Sequence, residues 1–140
     1  MRNTYTAVSR DEYRQFRGKA RRGTVILMDT IEFLFKAQGR PFANAGIVND
    51  RPQRGGTAKS LHAVGRAGDV KISRKEDGNY LFVNLVAAAE LIGLDETIWN
   101  RQRWNATSGK VKRYWGINPH KDHVHYAVDQ SVADFAGPRD

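Results

Sequence analysis

The chain contains no cysteine. Disulfides, thiolate nucleophiles and cysteine-ligated zinc are therefore excluded together, because each requires a cysteine sulfur. Any metal site in this chain must use imidazole and carboxylate groups. The sequence supplies four histidines and 15 acidic residues for this purpose.

Long apolar runs are absent as well. The two most apolar stretches, residues 25–35 and 81–94, are interrupted by charged and amide side chains. Both are shorter than the ~20 residues of a membrane-spanning helix. The first 23 residues are polar and rich in arginine, without the apolar segment of a secretory signal. We expect no transmembrane segment, and synthesis in the cytoplasm without a signal peptide.

Size and composition indicate a single globular unit. A chain of 140 residues, 40% of them apolar, is long enough for one core and short for two. We expect residues 1–140 to form one domain and the protein to be a monomer. Within it, a basic helical part is expected over about 1–40 and a part that carries the chemistry over about 45–130.

The formal charge of +8 favours a polyanionic neighbour. Nucleic acid, an anionic membrane surface and an anionic cell-wall polymer all meet that description. A basic surface that only keeps the protein soluble explains the charge equally well. Charge alone does not choose among these alternatives.

Hydrophobic periodicity predicts three helices. The first covers about Arg10 to Arg22 behind a capping pattern at Ser9. The second follows Thr24 and has one apolar face, which should pack in the core. The third covers Leu81 to Leu94, after a turn at residues 75–78.

Strands are predicted where β-branched and aromatic residues cluster between turn signals. They are expected at Ala67–Ile72, Val111–Trp115 and His123–Val128, with a short extended segment at 45–48, a polar loop at 49–59 and a peripheral tail after Ser131. Helices and strands are segregated rather than alternating. This order favours an α+β fold in which a small antiparallel sheet packs against helices.

The histidines and two nearby aspartates form two groups along the chain. These groups are His62 with Asp69, and His120, Asp122, His123 and His125. Two imidazoles and one carboxylate are typical ligands of a catalytic zinc, which keeps a fourth position open. Because side chains alternate along a strand, His123 and His125 should face the same side. Asp122 must then lie in the preceding loop to turn its carboxylate inward.

The first group belongs to a longer motif. The run Ser60 to Asp69 resembles the signature of the zinc D-Ala-D-Ala carboxypeptidase and dipeptidase family, which includes phage L-alanyl-D-glutamate endopeptidases. The family's serine, histidine, glycine, alanine and aspartate are matched by Ser60, His62, Gly65, Ala67 and Asp69. The family's second motif is matched by Asp122, His123 and His125, in the expected order. The resemblance covers roughly residues 49–128, and it depends on the two motifs occurring together.

The resemblance implies a Hedgehog/DD-peptidase-like fold. It also implies a role for each residue of the site. His62, Asp69 and His125 would bind one Zn²⁺, and Asp122 would take a proton from the attacking water. His123 is placed to donate a hydrogen bond to the developing oxyanion, while Ser60 supports a ligand. The family also uses a cationic residue upstream of the first motif to bind substrate, for which the candidates are Arg51 and Arg54.

The implied activity is zinc-dependent hydrolysis of a peptide bond in bacterial peptidoglycan. A phage lysis enzyme (endolysin) that acts at the cell wall after release fits the small size and the basic charge. Carboxypeptidase, D,D-endopeptidase and L-alanyl-D-glutamate endopeptidase activities all stay open, because groove shape sets the choice.

Two other classes of function are compatible with the sequence. The first is a metal-stabilised binding module without turnover, as in the Hedgehog signalling domain, although an acid at position 122 argues against it. The second is a basic nucleic-acid-binding protein, which neither motif requires. Taken singly, each residue also has a plain explanation: His62 and Asp69 as a polar pair, His120 as a loop residue, and Arg51 and Arg54 as basic surface.

Overall fold

A computed structural model describes residues 5–48 and 60–134. The helices are α1 (Arg10–Phe16), α2 (Arg22–Ala37), a 3-10 helix (Leu61–Val64), α3 (Lys75–Ala87), α4 (Ala89–Ile92) and α5 (Gln130–Ala133). The strands are β1 (Ala43–Gly46), β2 (Ala67–Lys71), β3 (Leu94–Trp99), β4 (Gln102–Asn105), β5 (Val111–Arg113) and β6 (His123–Val128). The loop predicted over 49–59, with Arg51 and Arg54, lies outside the described residues.

All six strands form one antiparallel sheet in the order β1-β2-β6-β3-β4-β5. The prediction of an α+β fold with an antiparallel sheet packed against helices is confirmed. The more specific likeness to the Hedgehog and DD-peptidase folds stays a prediction. Strand β6 is central: it lies between β2 and β3, and its residues His125, Tyr126 and Ala127 pair with both neighbours.

The two faces of the sheet have different roles. One face packs against α2 and α3, and its Val70 and Tyr126 join Phe35 and Leu85 in the main core. Neighbours along a strand point to opposite faces. His125, which precedes Tyr126, therefore faces away from this core. Burial of the helix-covered face leaves the opposite face available for polar chemistry.

The first helix is shorter than predicted. It ends at Phe16 rather than near Arg22, and Gly18 takes a left-handed conformation with φ of 70°. The side chain of Arg21 then turns inward, where its Nη1 donates to Glu12 Oε2 at 2.7 Å. On a continuous helix the nine-residue separation of Glu12 and Arg21 would place them roughly 13.5 Å apart along the axis, so the break allows the two side chains to meet.

The predicted turn at residues 75–78 is wrong, because these residues begin α3. Gly78 lies inside this helix, against the indole ring of Trp99. A Cβ at position 78 would lie 2.2 Å from Cζ2 of that ring. The glycine therefore serves a close helix–strand approach instead of a turn. The predicted third helix is also divided at Ala88 into α3 and α4, and Leu94 belongs to β3.

Other predictions have mixed outcomes. Strand β6 matches its prediction in full, and β2 matches to within one residue. Strands β3 and β4 were not predicted. The prediction of a peripheral tail after Ser131 is wrong for the part that the structure describes, which ends at Asp134. Ala133 is fully buried, and Asp134 accepts a hydrogen bond from Arg21 at 2.8 Å. Across the described parts of the chain, none of the helices is sufficiently long and apolar to cross a membrane.

Candidate metal centre

Three elements bring the two sequence motifs together. Asp69 on β2 is directly opposite His125 on β6 in the antiparallel register. His62 comes from the 3-10 helix before β2, which Ser60 caps by accepting a hydrogen bond from the His62 backbone N–H at 3.2 Å. Gly65 closes that helix with φ of 69°, and a Cβ there would lie 2.0 Å from a neighbouring carbonyl oxygen. The glycine of the motif thus allows the tight reversal between His62 and Asp69.

The atoms of this trio have the spacing of metal ligands. His62 Nε2 lies 3.2 Å from His125 Nδ1, and Asp69 Oδ1 lies 3.3 Å from each of these nitrogens. A tetrahedral ion with ligands at about 2.0–2.1 Å places its ligand atoms roughly 3.3 Å apart. The three atoms therefore occupy one triangular face of such a tetrahedron. This buried group can hold a metal ion.

Hydrogen bonds fix which nitrogen of each ring is free to bind. His62 Nδ1 lies 3.0 Å from the carbonyl oxygen of Ile47, which can only accept, so Nδ1 carries the hydrogen. His125 Nε2 donates to Glu96 Oε2 at 2.8 Å. The nitrogens left to carry lone pairs are His62 Nε2 and His125 Nδ1, the same two that converge with Asp69. Anchoring of the remote N–H is characteristic of metal-bound histidine.

Burial and mutual contacts set the charges of the trio. Burial acts to raise the pKa of Asp69, but hydrogen bonds with His125 and His62 outweigh it and hold this pKa well below its usual range. Burial acts to lower the pKa of His125, whereas its bonds to Asp69 and Glu96 raise it to about 9. A proton on His125 thus stabilises the metal-free cluster. A divalent ion must displace that proton on binding.

The chain matches no family model, no curated protein and no solved structure. The likeness to zinc peptidases therefore depends on the two motifs and on the convergence of their residues.

Glu96 and Arg103 are parts of the site that the sequence did not reveal. Glu96 on β3 is buried, and its Oε1 accepts hydrogen bonds from Arg103 Nε at 2.9 Å and Nη2 at 2.7 Å. Burial acts to raise the pKa of Glu96, but contacts with His125 and Arg103 lower it to about 2. Glu96 is therefore an ionised carboxylate that orients His125. The only hint in the sequence is an acid inside a β-branched and aromatic segment.

Asp122 and His123 form a hydrogen-bonded pair at the edge of the trio. His123 Nδ1 lies 2.7 Å from Asp122 Oδ1, and its Nε2 lies 4.0 Å from Asp69 Oδ1. The Asp122 side chain is 85% exposed. His123 accordingly faces the trio as predicted. The prediction that Asp122 turns its carboxylate inward is wrong, because that carboxylate is exposed and reaches the trio only through the imidazole ring.

A cavity of about 400 Å³ opens over these residues. Its wall includes His120, which takes a left-handed φ of 56° and whose Nδ1 donates to the carbonyl oxygen of Asn118 at 2.7 Å. The His120 ring centroid lies 4.6 Å from that of His123 and 5.7 Å from that of His125. His120, which the sequence left unassigned, therefore belongs to the wall of the candidate site.

The role of Glu96 can be tested with an isosteric change. Glu96→Gln has one acceptor oxygen, which cannot serve His125 and Arg103 from opposite ends, so one partner loses its bond. We expect the affinity for a divalent metal ion to fall by about 10- to 100-fold, as for other residues that orient a ligand. Competition with a chromophoric chelator measures it. Glu90→Gln on the exposed side of α4 is the matched control, and equal affinities in the two variants would rule out this role.

Proposed function

We propose that this chain is a zinc-dependent peptidase that hydrolyses a peptide bond in bacterial peptidoglycan. The observation that carries the proposal is the spacing of His62, Asp69 and His125, which form one triangular face of a tetrahedron at 3.2–3.3 Å. Their ligand atoms line the cavity, so the fourth position of a bound ion is available to water or substrate. Such an open position distinguishes a catalytic site from a structural one.

The donor set favours zinc over Mg²⁺ and Ca²⁺. Two imidazole nitrogens and one carboxylate oxygen suit zinc, whereas Mg²⁺ and Ca²⁺ prefer ligands made only of oxygen. When bound, Zn²⁺ supplies Lewis acidity toward a carbonyl and lowers the pKa of water to about 7. The protein must then accept one proton from the attacking water and deliver one to the leaving amine.

The Asp122–His123 pair is suited to that proton transfer. His123 Nδ1 donates a hydrogen bond to Asp122 at 2.7 Å, so the other ring nitrogen, Nε2, carries the lone pair of electrons. Nε2 is also the ring nitrogen that faces Asp69. In this proposal Nε2 takes the proton from water and Asp122 stabilises the resulting imidazolium. The protonated ring then donates to the oxyanion or to the amine that departs. The two residues thus act as one unit, rather than each on its own.

The substrate class follows from the family resemblance and from charge. Peptidoglycan and its associated polymers are anionic, which suits a protein of net charge +8. A phage lysis enzyme that reaches the wall after the membrane opens would use this charge to remain near its substrate. The peptide bond that is hydrolysed is identified by the fragments that the experiment below releases.

The proposed function is tested by incubating the purified protein with isolated peptidoglycan, with and without added zinc. We expect soluble muropeptide fragments, identified by mass spectrometry, and loss of their release in a chelator. Absence of release under zinc-replete conditions would refute the proposal. Tight DNA binding that is insensitive to chelator would instead favour a nucleic-acid-binding protein.

The proton-transfer pair makes a separate prediction. Asp122→Ala is expected to lower kcat by about 100-fold or more, the usual contribution of a positioned acid–base group. Zinc content should be unchanged, because Asp122 contacts none of the three ligand atoms within the described residues. Asp11→Ala, an exposed aspartate on α1, is the control. A wild-type rate for Asp122→Ala would contradict the assigned role.

A further inference from the structure

Two adjoining depressions lie outside the cavity, at the end of the sheet where β3 turns into β4. They share Asn100, a residue of that turn. Among the residues that the structure describes, no carboxylate lines either depression. Their charged side chains are all cationic: Lys75, Arg101, Lys112, Arg113 and Lys121. These five side chains are called the basic surface below, and a surface of this kind attracts a polyanion.

The cations of the basic surface have no carboxylate partner within residues 5–48 and 60–134. Two acids lie beside them in the sequence, but each has another partner. Glu76 is 3.6 Å from Nε of Arg74, and Asp122 is bonded to His123 at 2.7 Å. Four of the five cations are exposed, and only Arg101 is half-buried. Their charge is therefore available to a ligand.

The turn beneath the basic surface also supports the wall of the cavity. Asn100 and Arg101 have left-handed φ values of 50° and 61°, typical of a tight hairpin turn. Their N–H groups donate to the carbonyl oxygens of His120 at 2.7 Å and Pro119 at 2.9 Å. His120 lines the cavity on the other side of this loop. A polymer on the basic surface would thus lie beside the candidate metal centre without entering it.

Aromatic residues narrow the chemistry of the polyanion. Proteins bind single-stranded nucleic acid with cations and with aromatic rings on which successive bases stack. At the basic surface, Trp99 is only 2% exposed. Trp115 is 78% exposed, but the Arg113 guanidinium already lies 4.6 Å from its ring centroid. One ring with one face covered cannot stack successive bases, so a phosphodiester polymer without bases fits this surface better.

We propose that the basic surface binds a glycerol-phosphate polymer of the bacterial cell wall and retains the protein beside the peptides that it cleaves. The choice of a wall polymer rests on the proposed function, whereas the position of the surface does not. Each phosphate that pairs with a cation releases a counterion, so the affinity should fall as the salt concentration rises. The cavity stays open to peptides, because none of the five side chains lines it.

Calorimetry with purified poly(glycerol phosphate) as the probe compares the wild type with two triple variants of equal net charge. The first loses three exposed cations of the basic surface through Lys75→Gln, Lys112→Gln and Arg113→Gln. The second loses three exposed cations in or near α1 through Arg10→Gln, Arg14→Gln and Lys19→Gln. We expect the first to bind about tenfold more weakly than the wild type and the second to stay within about twofold. Equal losses would mean that net charge alone explains binding, and would overturn the inference.

Tryptophan fluorescence locates the bound polymer. Trp115 is 78% exposed, whereas Trp99 and Trp104 are 2% and 6% exposed, so acrylamide quenches mainly Trp115. Bound polymer should shield this ring and reduce the quenching. Trp115→Phe is the control and should show little quenching with or without polymer. Tight binding that leaves the quenching of the wild type unchanged would place the polymer elsewhere and contradict the proposed surface.

A single-stranded oligonucleotide with the same number of phosphates is the competing probe. We expect it to bind more weakly than poly(glycerol phosphate), because the surface lacks a series of stacking rings. If the oligonucleotide binds more tightly, and the first triple variant loses that binding, the surface belongs to nucleic acid and the inference fails.

Failure of this inference differs from failure of the proposed function. Calorimetry and quenching need no turnover, so they test the basic surface even if the protein releases no muropeptides. If the wild type hydrolyses a soluble stem peptide but does not bind the polymer, the basic surface fails and the peptidase function stands. The first triple variant should hydrolyse that soluble peptide at the wild-type rate and should be slower only on walls that carry the polymer.

Discussion

Zinc affinity is expected to fall by more than about 100-fold when Asp69 is replaced by alanine, because residues that merely orient a ligand already contribute 10- to 100-fold. Asp69 is the only anion of the trio, and its Oδ1 lies 3.3 Å from both ligand nitrogens. Without it, two neutral imidazoles must hold a doubly charged ion. The metal should then be lost on dialysis, and the proposed peptide hydrolysis with it.

Elemental analysis after dialysis and chelator competition measure this loss directly. Asp29→Ala, an exposed aspartate on α2, is the matched control and should bind zinc as the wild type does. The sheet should persist in Asp69→Ala, since Asp69 is at the edge of the cavity and not within the main core. A variant that keeps one equivalent of zinc with unchanged affinity would exclude the proposed centre.

Part of the geometry of this trio could be predicted from the sequence, because each of the two motifs has a local structure of its own. Ser60, Gly65 and Asp69 specify a capped turn followed by a strand, and alternation along β6 sets the direction of His125. What joins the two ends is a register, Asp69 opposite His125, that no local pattern encodes. Only the resemblance to a known pair of motifs indicated that these residues would meet.

The hydrogen bond from His125 to Glu96 could not be predicted for the same physical reason. Glu96 is on β3, in which all six residues are buried, so the strand has no alternating pattern to mark it. Preceding residues also have helical periodicity, which extended the predicted helix to Leu94. The contact between Glu96 and Arg103 depends on a hairpin that was not predicted. The carboxylate that orients His125 was therefore not identifiable before the fold was known.

The error in α1 has a related cause. Lysine, alanine and arginine residues after Phe16 favour a helix, which extended the predicted element, but Gly18 takes a left-handed φ of 70° and the helix ends before it. Glu12 is the shared acceptor of a buried ion-pair network, with Arg21 on one oxygen at 2.7 Å and Arg66 on the other at 3.2 Å. The contact between Glu12 and Arg66 joins residues far apart in the chain, so local periodicity does not predict it.

Arg66, which lies inside the first motif, should make a large contribution to stability. It is fully buried, its Nε donates to the carbonyl oxygen of Val128 at 3.0 Å, and its Nη2 pairs with Asp95. Arg66→Met fills similar volume but leaves Asp95 without its cationic partner. We expect the free energy of unfolding to fall by about 3–5 kcal/mol, as when one partner is removed from a buried ion pair. Urea denaturation measures this change.

The pH dependence of that loss distinguishes a buried carboxylate without a cationic partner from a simple packing defect. Burial raises the pKa of Asp95 to about 6 even though Arg66 opposes it, and removing Arg66 raises it further. A carboxyl whose pKa is raised on folding stabilises the folded state at low pH and loses that contribution as pH rises. The deficit of Arg66→Met relative to wild type should therefore be smaller at pH 5 than at pH 7. Arg14→Met, 74% exposed on α1, should cost under about 0.5 kcal/mol at both values. A deficit of equal size at pH 5 and pH 7 would mean that packing alone, and not the charge of Asp95, explains the effect.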